Sequence, residues 1–303
     1  VPRTAGIVIA LLSLITLILS GPADFKSPII VIAYCIFLVI GIYDDIKHLN
    51  ASTKLWAQLL ISATLAILLP EFRIDNFYGI LGVYAIGEPY AIVFSMFVFI
   101  VVINAYNLID GIDGLALSFS VFAIYLLSNC FSGIDSEISN YGLFLIAILI
   151  PFFFFNFSSR RKMFLGDTGS LFLGTTIVLF VGYILNSSHQ IVVPCNMNRA
   201  IYVLVALCYP LLDTLRVFVL RITRGQSPFV ADRKHLHHKL LGIGFNHYTT
   251  TLSLISFNVA IYLVNCIFLK NLNENAVLMA DFILIGFFFI GGLWYTRLNR
   301  STR

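Results

Sequence analysis

Aspartates gather in three short stretches of this chain, each at the end of an apolar run. Asp110 and Asp113 fall in residues 104–116 (NAYNLIDGIDGLA), Asp44 and Asp45 in 43–48 (YDDIKH), and Asp167 in 164–170 (FLGDTGS). A carboxylate at a bilayer edge is costly, and several of them beside basic residues are the material of a cation or phosphate site. Asn107, Asp110 and Asp113 are spaced i, i+3, i+6 and would share one staggered helix face. Gly111 and Gly114 beside them suit either close approach to a ligand or a tight turn. Asp44 and Asp45 repel each other, so at least one needs a cation or a raised pKa. The plainer alternative is a charged helix stop, with Asp45 capping the next segment. Gly-Asp-Thr-Gly-Ser could set Asp167 and backbone N–H groups at a helix N-terminus, where phosphate binds well, and an ordinary N-cap is compatible with that.

A fourth stretch, 221–248, is basic and rich in histidine: Arg233, His235, His237 and His238 stand among Lys234 and Lys239. Histidine can position or protonate phosphate oxygens near neutral pH. Zinc competes as an explanation, but the HLHH run lacks a HExxH pattern or nearby cysteines. The alternative is an interfacial helix resting Leu236, Leu240 and Leu241 on the membrane. Asn156 ends a phenylalanine-rich run, and Arg160, Arg161 and Lys162 follow it as ordinary positive-side markers. Asp213 and Arg216, at i and i+3, are expected to neutralise each other.

The elements that must carry these residues are membrane helices. The chain is 59% apolar and 11% charged, whereas soluble domains are about half apolar and about a quarter charged. Ten apolar segments can be read, at 5–20, 28–43, 54–70, 89–105, 114–131, 138–156, 169–185, 199–220, 249–269 and 276–296, each long enough for a hydrocarbon core of roughly 30 Å. Of the 19 lysines and arginines, Lys26, Arg73, Arg199 and Lys270 fall on one side, Arg216 lies inside a segment, and the remaining 14 fall on the other side. The rich side is expected to be cytoplasmic. All the aspartate stretches and the histidine loop lie there, together with both ends of the chain. On the other side, 71–88 reads as a short outer hairpin. The five cysteines show no paired spacing, so neither a zinc site nor a disulfide is expected and they read as packing residues. The chain starts at Val1 with no basic leader, which reads as an N-terminal truncation rather than a signal peptide.

Taken in order, YDD, NAYNLIDGIDGLA, FLGDTGSLFLG and SPFVADRKHLHHKLL resemble the polyprenyl-phosphate N-acetylhexosamine-1-phosphate transferases over nearly the whole chain. The 231–245 loop is closest to the N-acetylglucosamine-1-phosphate branch, whose members begin O-antigen, common-antigen or teichoic-acid synthesis in cell-wall biogenesis. The resemblance implies one all-α polytopic membrane domain over 1–303, with an eleventh helix missing at the N-terminus. It implies a plasma-membrane (bacterial inner membrane) enzyme with its active-site loops in the cytoplasm. Such an enzyme transfers a sugar 1-phosphate, GlcNAc-1-phosphate by preference, from a UDP-sugar to undecaprenyl phosphate and releases UMP. It requires Mg²⁺, with Mn²⁺ as the alternative. The partners implied are the two substrates and membrane lipid, with no nucleic acid; a homodimer is left open. Carried to matching positions, Asp167 would ligand the metal with Asn107 as second contact, and Asp44 and Asp45 would sit by the lipid phosphate. Asp110 and Asp113 would form the nucleotide side, which Asn156 approaches, and Arg233, His235, His237 and His238 would clamp the diphosphate or the sugar. The sequence departs from the family pattern in three places: Pro2 to Gly6 keep only part of the opening Pro-Gly-Gly motif, DDIKH lacks a third carboxylate, and 156–167 is one residue longer than usual.

Two other classes fit the composition. A cation-coupled transporter would hold its carboxylates near the midplane on broken helices, whereas these lie at segment ends. A non-catalytic lipid-binding scaffold would not need five aspartates on one face.

Overall fold

Apolar runs of this length have one way to satisfy their backbone in lipid, by hydrogen bonding within the segment. The computed structural model describes residues 5–158, 160–225 and 234–298. Among the described residues there are twelve α-helices: α1 (Ala5–Ser20), α2 (Pro28–Lys47), α3 (Ala51–Leu68), α4 (Glu88–Ile109), α5 (Leu115–Asn129), α6 (Ser136–Asn156), α7 (Gly166–Leu185), α8 (Arg199–Ala206), α9 (Cys208–Ile222), α10 (Leu236–Gly242), α11 (His247–Val264) and α12 (Glu274–Leu298). Starts follow local chemistry. Asp135 accepts from the Glu137 and Ile138 N–H groups to open α6, Asn246 and Thr249 form a capping box on α11, and proline sits in the first turn of α2 and α4.

Each of the ten apolar segments read from sequence contains helix. Seven helices are long and apolar enough to cross a membrane, and α8 with α9 makes an eighth if that pair, bent by 76°, is one span. The helices α1 and α5 are shorter. The protein is therefore a multi-pass membrane protein. The break between α8 and α9 is braced by Asn258 of α11, whose amide donates to the Val205 carbonyl (3.0 Å) and accepts from the Tyr209 N–H (2.9 Å). That satisfies backbone groups which a break in lipid would otherwise leave bare.

The core is organised around α7, which is buried on all sides. The helices α1, α2, α4 and α5 pack against it, so it is apolar all round where an edge helix would show one stripe. Its N-terminus, carrying Asp167, is thereby held at the centre of one end of the bundle.

At the other end, residues 75–86 form the hairpin. The Phe77 N–H donates to the Tyr84 carbonyl (2.9 Å) and the Ile86 N–H to that of Asp75 (2.8 Å). Cys195 and Cys266 are joined by a disulfide at this same end, which corrects the expectation that every cysteine is a packing residue. The two lie 71 residues apart and are brought together only when the segment after α7 meets the end of α11, so no local spacing signals the pair.

Candidate active site

The C-terminal ends of α2, α4 and α6 and the N-terminal ends of α3, α7 and α11 meet at one end of the bundle, with α10 laid against them. The four stretches singled out from sequence converge here, apart from Arg233, which lies outside the described residues.

Asp44 is almost wholly buried and its carboxyl contacts that of Asp167. The Lys54 ammonium of α3 lies between the two, in a very short ion pair with Asp44 and 3.0 Å from Asp167 Oδ1. Asp167 Oδ1 also accepts from Asn107 Nδ2 (2.7 Å), which donates in addition to Ser170 Oγ (2.9 Å). One turn deeper, Asn104 donates to Gln58 (2.5 Å), clamping α4 to α3.

Asp45 has a different task. Its carboxylate accepts from the Asp167 N–H (2.9 Å), the Thr168 N–H (3.1 Å) and the Thr168 hydroxyl (2.7 Å). It caps α7 from α2, and not α3 as a local reading would have it. Gly166 leaves room for this: its φ is +71°, and a Cβ there would stand 2.7 Å from Asp45 Oδ1.

The turn after α4 carries Asp110 and Asp113. Asp110 faces the Gly166 N–H; burial, and then the nearby Asp167 and Asp45 carboxylates, push it well above the usual carboxylate range. Asp113 Oδ2 pairs with Lys162 Nζ (2.6 Å) and lies 2.8 Å from His247 Nδ1, while its carbonyl accepts from the Thr251 hydroxyl (2.9 Å). Asn156 accepts from the Gly114 N–H (2.5 Å) and donates to the Met163 carbonyl (2.8 Å), so both ends of its amide tie this turn to the loop before α7.

The histidine run is packed beneath the turn rather than displayed. His235 and His237 are buried, at 2% and 0% exposure. His235 Nδ1 lies 2.8 Å from Asp213 Oδ2, the Leu236 N–H donates to the same carboxylate, and Arg216 Nη2 lies 2.7 Å from Asp213 Oδ1. Asp213 and Arg216 thus neutralise each other as expected, and Asp213 also anchors the start of α10. His237 Nδ1 lies 3.2 Å from the Tyr209 hydroxyl, and burial pushes its pKa down to about 3, so it is neutral. A Cβ on Gly111 would stand 2.8 Å from His237 Nε2; the glycine admits the histidine, where a ligand was one option. His238 is half-buried beside it.

Between these walls lies a cavity of about 440 Å³, lined by Asn107, Asp110, Asp113, Asn156, Lys162, Phe164, Asp167 and His247 among others. No cluster of three or more His, Cys, Asp or Glu side chains suited to a metal occurs among the described residues. A hard cation that keeps most of its shell for water and substrate oxygens needs only one or two carboxylates. Asp44 and Asp167, already in contact and sharing one ammonium, are two carboxylates that could hold such an ion. Asn107, with its NH₂ turned to Asp167, serves to hold that carboxylate. An amide and a lysine steadying two carboxylates next to a polar cavity, at the end of a membrane bundle, describe a site for handling phosphorylated substrates at a membrane surface.

Three residues of this site were not singled out in sequence. Lys54 and His247 come from helix starts remote in the chain from the carboxylates they meet, and Lys162 reads there as a side marker. Asp213 carried a usable signal, since a carboxylate within an apolar segment is a functional flag in its own right.

The profile of glycosyl transferase family 4 matches residues 27–184. A probable undecaprenyl-phosphate N-acetylglucosaminyl 1-phosphate transferase of Bacillus subtilis (strain 168) is 31% identical over 94% of this chain and 78% of its own length. A decaprenyl-phosphate N-acetylglucosaminephosphotransferase of Mycobacterium leprae (strain TN) and an undecaprenyl-phosphate alpha-N-acetylglucosaminyl 1-phosphate transferase of Yersinia pestis are each 26% identical, over 86% of the chain and 69% of their own lengths. Fold and site together define a membrane-embedded sugar-phosphate transferase. The chain belongs to glycosyl transferase family 4, on the branch of the polyprenyl-phosphate N-acetylglucosamine-1-phosphate transferases.

Proposed function

We propose that this protein transfers GlcNAc-1-phosphate from UDP-GlcNAc to undecaprenyl phosphate and releases UMP, with Mg²⁺ as cofactor. The observation that carries this is the contact of Asp44 and Asp167 around Lys54 at the rim of a polar cavity, where α7 begins. Phosphoryl transfer asks for positioning and charge compensation more than for covalent chemistry. Asp167, with Asp44, would hold Mg²⁺; when bound, it neutralises diphosphate charge and polarises the phosphoryl oxygens. Lys54 adds a fixed positive charge beside the reacting phosphates, Asn107 fixes the Asp167 carboxylate, and Asp45 fixes the helix that bears it. Asp110 and Asp113 form the floor and far wall of the cavity, where the nucleotide sits, and the half-exposed Phe164 ring offers a flat surface to the base. The lipid phosphate approaches the Asp44–Lys54 side, with its tail between helices.

The ten helical segments cross the plasma membrane as one domain, with the site in the cytoplasm. Two observations support this orientation: the excess of lysine and arginine on the site's side, and the disulfide at the opposite end, since disulfides persist in oxidising compartments. The test is UMP release from UDP-GlcNAc by the purified protein with undecaprenyl phosphate and Mg²⁺. Asp167→Asn should abolish it while leaving the unfolding temperature unchanged. Wild-type turnover in excess chelator would remove the metal from the proposal, and turnover of other UDP-sugars at equal rates would remove the GlcNAc assignment.

A further inference from the structure

We propose that His247 is a donor-binding residue that reads a hydrogen-bond-accepting group of the sugar nucleotide; this rests on the function proposed above. Of the histidines in the sequence motif, His235 and His237 are buried beneath the Gly111 turn, and none of the three lines the cavity. The histidine that does is His247, on the first turn of α11.

Its surroundings are built. The capping box fixes the start of α11 through Asn246 Oδ1 on the Thr249 N–H (2.7 Å) and the Thr249 hydroxyl on the Asn246 N–H (3.1 Å). Thr251, one turn on, holds the Asp113 carbonyl. His247 Nδ1 lies 2.8 Å from the Asp113 carboxylate and 3.2 Å from the Asp113 backbone N. The Asp113 backbone N–H donates to Nδ1, so the ring proton sits on Nε2. Nε2 presents its N–H as a donor, and the side chain remains 43% exposed. With Nδ1 covered by Asp113, the Nε2 edge is what a ligand can reach. A ring already locked on one nitrogen loses little freedom when the other binds. The group it reads is a hydroxyl or a carbonyl oxygen, both of which a UDP-N-acetylhexosamine carries.

Two substitutions separate binding from bracing. His247→Asn keeps an acceptor at the Nδ1 position and removes the Nε2 edge, whereas His247→Gln keeps an amide N–H at the Nε2 position. With the full protein in detergent, His247→Asn should raise KM for UDP-GlcNAc about 10-fold and His247→Gln by less than about threefold. KM for undecaprenyl phosphate should not change in either variant. Equal donor KM in His247→Asn and wild type overturns the proposal, and so does an equal rise in both KM values accompanied by lower thermal stability. Calorimetric binding of UDP-GlcNAc keeps this separate from the reaction. A wild type that binds without turning over fails the transferase reading alone, and the Asn–Gln contrast in Kd still supports His247. A wild type that does not bind UDP-GlcNAc overturns the His247 proposal.

Discussion

Replacing Asp45 tests the division of labour between the adjacent aspartates. Asp45 accepts three hydrogen bonds from the first turn of α7, and Thr168, which supplies two of them, is fully buried. Loss of a helix cap costs about 1 kcal/mol, and a charge at a helix N-terminus contributes roughly 0.3–1 kcal/mol. A buried N–H left without a partner adds about 1–3 kcal/mol. Because Asp45 is half-exposed, water offsets part of this, and Asp45→Ala should destabilise the protein by about 2–3 kcal/mol. Asp45→Asn retains an acceptor oxygen and loses the charge, so its cost is about 1 kcal/mol. Thermal unfolding in detergent reads the stability, and UMP release at saturating substrates reads the activity. Asp45→Asn should unfold slightly earlier and keep measurable, Mg²⁺-dependent turnover, with Asp45→Ala lower on both scales. If both variants unfold as wild type does while turnover vanishes as in Asp167→Asn, Asp45 acts on substrate or metal directly and its assignment as a cap fails.

Three further outcomes follow from the geometry. Lys54→Met removes the ammonium between Asp44 and Asp167, so turnover should fall at least about 100-fold while half-saturation by Mg²⁺ moves to lower concentration; weaker Mg²⁺ dependence would place Lys54 among the groups that recruit the ion. His237 titrates near 3 in the folded protein against about 6.5 unfolded, so its neutral burial stabilises fully above pH 6.5 and loses ground as pH falls from there towards 3. At pH 5 the loss is about 2 kcal/mol, seen as earlier thermal unfolding, and His237→Phe should lessen that acid sensitivity. Reducing Cys195–Cys266, which closes a loop with a separation of 71 residues, should lower stability by up to about 4 kcal/mol and leave KM for both substrates unchanged.

Much of the site was legible because its residues fall at helix ends whose apolar runs are long and easily bounded. Asp44, Asp110, Asp113 and Asp167 were placed at one end of the bundle by span parity alone. What each carboxylate does was not legible, since that depends on neighbours far away in sequence. Asp45 meets its partner helix 122 residues on, Asp167 meets Lys54 across 113, and Asp113 meets His247 across 134. The histidine loop shows the same limit from the other side. The family resemblance implies a diphosphate or sugar clamp at HLHH, and no local pattern signals that His235 packs against Asp213 and His237 beneath Gly111. The kinked α8–α9 pair also escaped, although Pro210, which has no N–H for the Ala206 carbonyl and clashes with it, marks the break one turn upstream, where Asn258 from another helix braces it.

The central claim is transfer of a sugar together with one phosphate to a polyprenyl phosphate. UDP-GlcNAc labelled with ³²P at the phosphorus next to the sugar tests it directly, with undecaprenyl phosphate, Mg²⁺ and the purified protein. The account predicts label in the lipid fraction, one equivalent of unlabelled UMP for each lipid formed, and none of this in Asp167→Asn. Label left in the aqueous phase as UDP while GlcNAc appears on the lipid would mean transfer of the sugar alone and would contradict it.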